Sequence, residues 1–213
     1  MAKRSVYLAK CRTTASQRAH FAIFIPNVIC DRHDLATSFK TAPCHRCVIH
    51  VGGEPLMSGY AHEFKRNYDC VTMHDIQELV FLSYVNEANI FEPTNSTFCR
   101  EGTPRARLER EALLVNPPPR GQNLRVPIDG ILARRCQEWT IDYIKRLVAQ
   151  SLICEDASGI AQSHRDPPTH GIFGFKSTEA RSPGSAQARN QEAGVLQALH
   201  RTMEEHVEAG KDI

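Results

Sequence analysis

The sequence predicts one small α+β domain, an antiparallel sheet packed on helices, followed by a weakly ordered C-terminal tail. Three observations carry this reading. Short β-type runs separated by turns crowd the first part of the chain. One amphipathic helical stretch, residues 133–152, comes late. After Cys154 the composition shifts to Ser, Gly, Pro and Ala, with no strand or helix period. The domain is therefore placed at residues 1–154 and the tail at 155–213.

Taken in order, residues 5–8 form a short β-type run. Residues 20–25 (HFAIFI) form a stronger one, rich in β-branched and aromatic side chains and stopped by Pro26-Asn27. Residues 28–46 read as irregular. A third strand at 48–51 (VIHV) ends at Gly52-Gly53, and a fourth is expected at 63–68 (EFKRNY). Turn-linked strands of this kind favour an antiparallel meander over βαβ units. Residues 75–85 fit helix and strand equally. A helix is expected over 104–114, with Pro104 at its start. Residues 116–122, with Pro117-Pro118-Pro119, read as a linker without regular hydrogen bonding. In the helix of residues 133–152, Cys136, Trp139, Tyr143 and Leu147 recur at three and four, and Ile144 and Val148 widen the stripe. A modest amphipathic helix is expected within the tail, at 194–207.

Bulk properties exclude little. A length of 213 residues supports one core, and a formal charge of +2 neither demands nor forbids an acidic partner. The basic N-terminal stretch reads as a solvated terminus, and no nucleic-acid-binding motif is present. Lys65 and Arg66, interleaved with aromatics, read as a solvated sheet face rather than an RNA contact. Neither a secretory signal nor a membrane span is found. A cytoplasmic setting follows, in which the eight cysteines are thiols rather than a disulfide scaffold.

Two constellations bear on chemistry. In the first, Cys136 sits near the start of the main helix, after Arg134-Arg135, where the helix dipole and nearby cations favour a thiolate. His20 opens the second strand and is the candidate base, and His50, in the third, can orient its imidazole. The bland alternative is that Cys136 is a buried, inert residue on a helix face. In the second, Cys30-x2-His33 and Cys44-x2-Cys47 supply four soft ligands of the kind tetrahedral zinc accepts. Chance spacing among eight cysteines is the favoured explanation. No cofactor and no metal site is expected.

The order of these segments, HFAIFIP with its leading His20, VIHVGG with His50, then RCQEW with Cys136, resembles the circularly permuted papain-like superfamily. That group includes the lecithin:retinol acyltransferase-like and PPPDE-type proteins, related to the NlpC/P60 peptidases. HFAIFIP, VIHVGGEPLMSGYAHEFKRNYD and RCQEWTIDYIKRLV are also similar to segments of a family of small fungal proteins, over roughly residues 5–153. The resemblance implies a permuted papain-like fold with Cys136 as nucleophile, His20 as general base and His50 as the polar orienting residue. It departs in the long His20–His50 separation and in RCQEW, where the lipid acyltransferase type has an Asn-Cys-Glu-His pattern. The implied chemistry is thiol acyl transfer or hydrolysis at an ester or amide of a small molecule, peptide or protein. Backbone N–H groups at the helix start, and less readily the side chain of Gln137, would hold the oxyanion. The alternative is a catalytically silent α+β binding or accessory protein, with or without a structural zinc.

Overall fold

The computed structural model describes residues 2–12, 14, 16–42, 44–71 and 75–170. Six strands form one sheet: β1 (Lys3–Cys11), β2 (His20–Pro26), β3 (His45–Glu54), β4 (Gly59–Asp69), β5 (Ile76–Asn86) and β6 (Cys99–Glu101). Among the described residues four α-helices accompany it: α1 (Leu35–Ser38), α2 (Arg107–Leu113), α3 (Cys136–Ala149) and α4 (Asp156–Ser163). The strand order is β5-β1-β2-β3-β4-β6, and every pairing is antiparallel. β1 to β4 are thus the expected meander, and β5 returns to pair with β1. Pairing with β1 settles residues 75–85 as strand, since their apolar pattern alone fits either state.

The central strand β2 is buried on both faces, so its side chains divide by parity. Phe21, Ile23 and Ile25 join a core built with Trp139, Tyr143, Ile144 and Leu147 of α3. Ala22 and Phe24 join a second core on the other face, with Tyr7, Leu35, Val48 and Tyr68. The buried stripe of α3 is the one its periodicity predicts, and Trp139 is fully enclosed, its Nε1–H donating to Val115 O at 2.9 Å.

Several expectations need correcting. α3 starts at Cys136 rather than 133, because the Asp129 carboxylate accepts from the N–H groups of Ile131, Leu132 and Ala133 and holds them in a turn. It ends three residues early, where Ser151 takes a left-handed conformation (φ 55°) and Leu152 N–H reaches back to Leu147 O at 2.9 Å. Arg66 is not on a solvated face. It is fully buried and paired with Glu109 of α2, a contact that needs two distant segments to meet and leaves no local signature. Residues 155–170 do not lack structure: α4 buries Ala157 and Ala161 in the main core. The helix expected at 194–207 lies outside the described residues. Among the described residues no helix is long and apolar enough to cross a membrane.

Candidate functional site

Three ionisable side chains stand in a row across β2, β3 and β4. His20 Nε2 and His50 Nδ1 lie 2.9 Å apart, and His50 Nε2 lies 2.8 Å from Glu63 Oε1. His50 and Glu63 are cross-strand partners, which fixes their contact through the sheet register. A carboxylate only accepts, so the proton between His50 and Glu63 belongs to His50 Nε2. A neutral His50 then accepts at Nδ1, and His20 must carry its own proton on Nε2. The row therefore leaves the lone pair of His20 on Nδ1.

Burial is the main influence on both rings. It pushes His20 down to about 4, with the Lys65 ammonium acting in the same sense. His50 is pushed to about 4 as well, against the upward pull of its bond to Glu63. Both imidazoles are neutral at pH 7. The bond from His50 in turn holds the Glu63 carboxyl below its ordinary range.

Cys136 occupies the first turn of α3, and the backbone N–H of Arg135 just before it is capped by Glu138 Oε2 at 2.9 Å. Its Sγ makes a long contact of 3.9 Å with Ala19 O, and among the described residues no hydrogen bond joins it to His20. Burial pushes the thiol up to about 11, although the N–H groups of Phe21 and Gln137 favour the thiolate. The parity of β2 accounts for the missing bond. His20 falls with Ala22 and Phe24 on the face away from α3, and Cys136 belongs to the core on the other face. Because His20 is the first residue of its strand, it reaches both sides at the strand end. It borders a cavity of about 250 Å³ together with Cys136, Tyr60, Arg135 and the apolar Leu124 and Ile128. It also borders a crevice with Cys11, its own register partner on β1. Cys11 is half-buried, and burial pushes its thiol up to about 12.

Gln137 is fully buried and holds structure instead of facing the cavity. Its Nε2 donates to Ala19 O and to Asp166 Oδ2, each at 2.8 Å, and its Oε1 accepts from Asp166 N–H at 3.0 Å. With both amide hydrogens engaged, it has none for an oxyanion. Asp166 also accepts from Ala19 N–H and from Arg12, so the segment after α4 is pinned beside the cavity and brings His170 to its wall. The sequence marked neither Glu63 nor Asp166. The first could have been found as the residue opposite His50 in a β3–β4 hairpin; the second carries no local signal.

The geometry does not support the zinc alternative. Cys30 Sγ accepts from His45 N–H, Cys47 Sγ faces Phe91 O, and Cys44 lies beside Cys70. Among the described residues no group of three or more His, Cys, Asp or Glu side chains is placed to hold a metal ion. All eight cysteines are free.

Residues 6–154 match a family of unknown function (DUF6540), and the chain belongs to it. No curated protein and no solved structure matches the chain. The family match stops before α4, so Asp166 and His170 lie outside it.

Proposed function

We propose that this DUF6540 member is a cysteine hydrolase or acyltransferase of permuted papain-like type, acting on an ester or amide. The observation that carries the reading is the His20–His50–Glu63 row, whose proton assignment leaves a basic Nδ1 on a residue bordering the same cavity as Cys136. The chain order of base before nucleophile agrees with the permuted arrangement.

In this reading the resting pair is neutral, imidazole and thiol, and the base acts during attack rather than beforehand. His20 Nδ1 takes the proton of Cys136 as Sγ adds to the carbonyl carbon. The developing oxyanion lies near the first-turn N–H groups of α3, where the helix dipole favours negative charge. Collapse expels the alcohol or amine, which leaves with the proton from His20. Water or an acceptor amine then adds to the thioester and restores Cys136. His50 and Glu63 keep Nδ1 unprotonated and the ring in place. Substrate binding would have to bring His20 and Cys136 into contact, and catalytic hydrogen bonds do tighten in the bound complex.

The buried thiol with its raised pKa supports a second reading, a binding protein of the same fold without catalysis. p-Nitrophenyl acetate separates the two. An enzyme is expected to release p-nitrophenol with a single acetyl group recovered on Cys136 by peptide mass spectrometry, lost in His20→Ala. Acetylation absent, or spread over other cysteines without regard to His20, would leave the binding protein.

A further inference from the structure

We infer that the cavity beside Cys136 is built for a substrate carrying a carboxylate, and that Arg135 is the residue that selects it. The inference rests on the proposed reaction but on different atoms. Arg135 is 8% exposed and lines the cavity. Its Nη1 donates to Gln122 Oε1 and to Arg134 O. Among the described residues no carboxylate pairs with its guanidinium, and both of its side-chain hydrogen bonds run through Nη1.

A guanidinium this far from water without a counter-charge is costly, because desolvation of the ion is not offset. The other charges nearby do not supply the offset. Arg18 also lines the cavity, and among the described residues no Asp or Glu does. Glu138, three residues on, accepts from Arg18 and Arg165 as well as from the backbone N–H of Arg135. With Arg18 already paired to Glu138, Arg135 is the lining arginine without a carboxylate partner among the described residues, and the N-terminus of the fourteen-residue α3 adds partial positive charge beside it. Nε and Nη2 of arginine form the planar fork that a carboxylate meets with two parallel bonds. Gln122 fixes the fork by holding Nη1 while also accepting from Arg134 N–H at 2.8 Å. Leu124 and Ile128 supply apolar wall for the remainder of a small acyl compound.

The test compares two alkylating agents of equal reach and different charge. Rates of Cys136 modification by iodoacetate and by iodoacetamide are measured at pH 7 by peptide mass spectrometry, with the exposed Cys99 and Cys154 as internal references. The iodoacetate-to-iodoacetamide ratio at Cys136 is expected to exceed that of the references by about 10-fold or more, one carboxylate contact being worth roughly that factor. In Arg135→Met the ratio should fall to the reference value, and in Arg135→Lys it should be partly retained. A Cys136 ratio equal to the references in the wild type, or unchanged in Arg135→Met, overturns the inference. A second readout needs neither variant nor reaction. Succinate, but not succinamide, at matched ionic strength should raise the thermal midpoint of the wild-type chain; equal or absent shifts would count against the inference. Loss of His20-dependent labelling with the charge preference intact would instead remove the proposed reaction and keep the anion site.

Discussion

At the scale of single residues, the informative feature is a proton count. Two histidines in contact are ambiguous alone, since each ring nitrogen can donate or accept. Glu63 removes the ambiguity: it cannot donate, so the direction of every bond in the row follows from it. Glu63→Gln tests this. A glutamine amide can donate to His50 Nε2 and reverse the row, moving the lone pair of His20 onto the wrong nitrogen. Acetylation of Cys136 by p-nitrophenyl acetate is expected to slow by about 10²-fold or more, as loss of a positioned base does, with the thermal midpoint nearly unchanged because Glu63 is partly exposed. An unchanged rate would mean that the carboxylate sets no tautomer. The sequence offered His20, His50 and Cys136 because histidine and cysteine are scarce and conspicuous. It did not offer Glu63, which is ordinary until the register puts it opposite His50.

At the scale of elements, β2, β3 and α3 were legible, since their apolar patterns are long and of clear period. β6, three residues of exposed polar sequence, was not: it pairs with β4 through its backbone and has no apolar pattern to betray it. The late start of α3 was equally hidden, because it depends on Asp129 competing for three N–H groups. That competition puts Cys136, rather than Ala133, at the helix start, and so decides which side chain meets the cavity. The link between β4 and α2 is the element-scale feature most open to measurement. Arg66 meets Glu109 through both Nη1 and Nη2, and both side chains are buried. Glu109→Leu leaves a buried guanidinium with Glu101, at 2.9 Å, as its remaining carboxylate among the described residues, and should cost about 3–5 kcal/mol in urea unfolding. Arg66→Met combined with Glu109→Leu should recover most of it. A single-variant loss under about 1 kcal/mol would show the pair to be incidental.

At the scale of the whole molecule, the sheet carries two cores, and the imidazole row lies where β2 emerges between them. Placing neutral histidines there has a consequence for acid stability. The folded imidazoles titrate near 4, against 6.5 for the unfolded chain. Between those values the unfolded state binds protons that the folded state refuses, so stability falls as pH drops from about 6.5 towards 4 and is fully present above 6.5. The lowered carboxyls of Glu63 and Asp166 act in the same sense at the acid end of the range. The thermal midpoint should decline steadily over that window, and the decline should be shallower in His20→Gln. A midpoint flat from pH 7 to 4.5 would mean that the rings are protonated freely in the fold.

The α+β class, the meander and the main helix followed from composition and period, whereas the part of the site after α4 did not. Residues 164–170 have no apolar pattern, and their order comes from Asp166 meeting Arg12, Ala19 and Gln137, groups more than 25 residues away in sequence. Gln137 read as a catalytic donor for the same reason: only the fold shows that its amide is bound to that segment.

The central claim is that His20 acts on Cys136, and the pH dependence of Cys136 alkylation by iodoacetamide tests it most directly. With His20 as base, labelling should rise as its imidazole deprotonates near pH 4 and stay level through neutrality; in His20→Ala it should instead track the buried thiol and remain negligible until pH approaches 11. Identical profiles in the two proteins, or His20-dependent labelling found on Cys11 in place of Cys136, would contradict it.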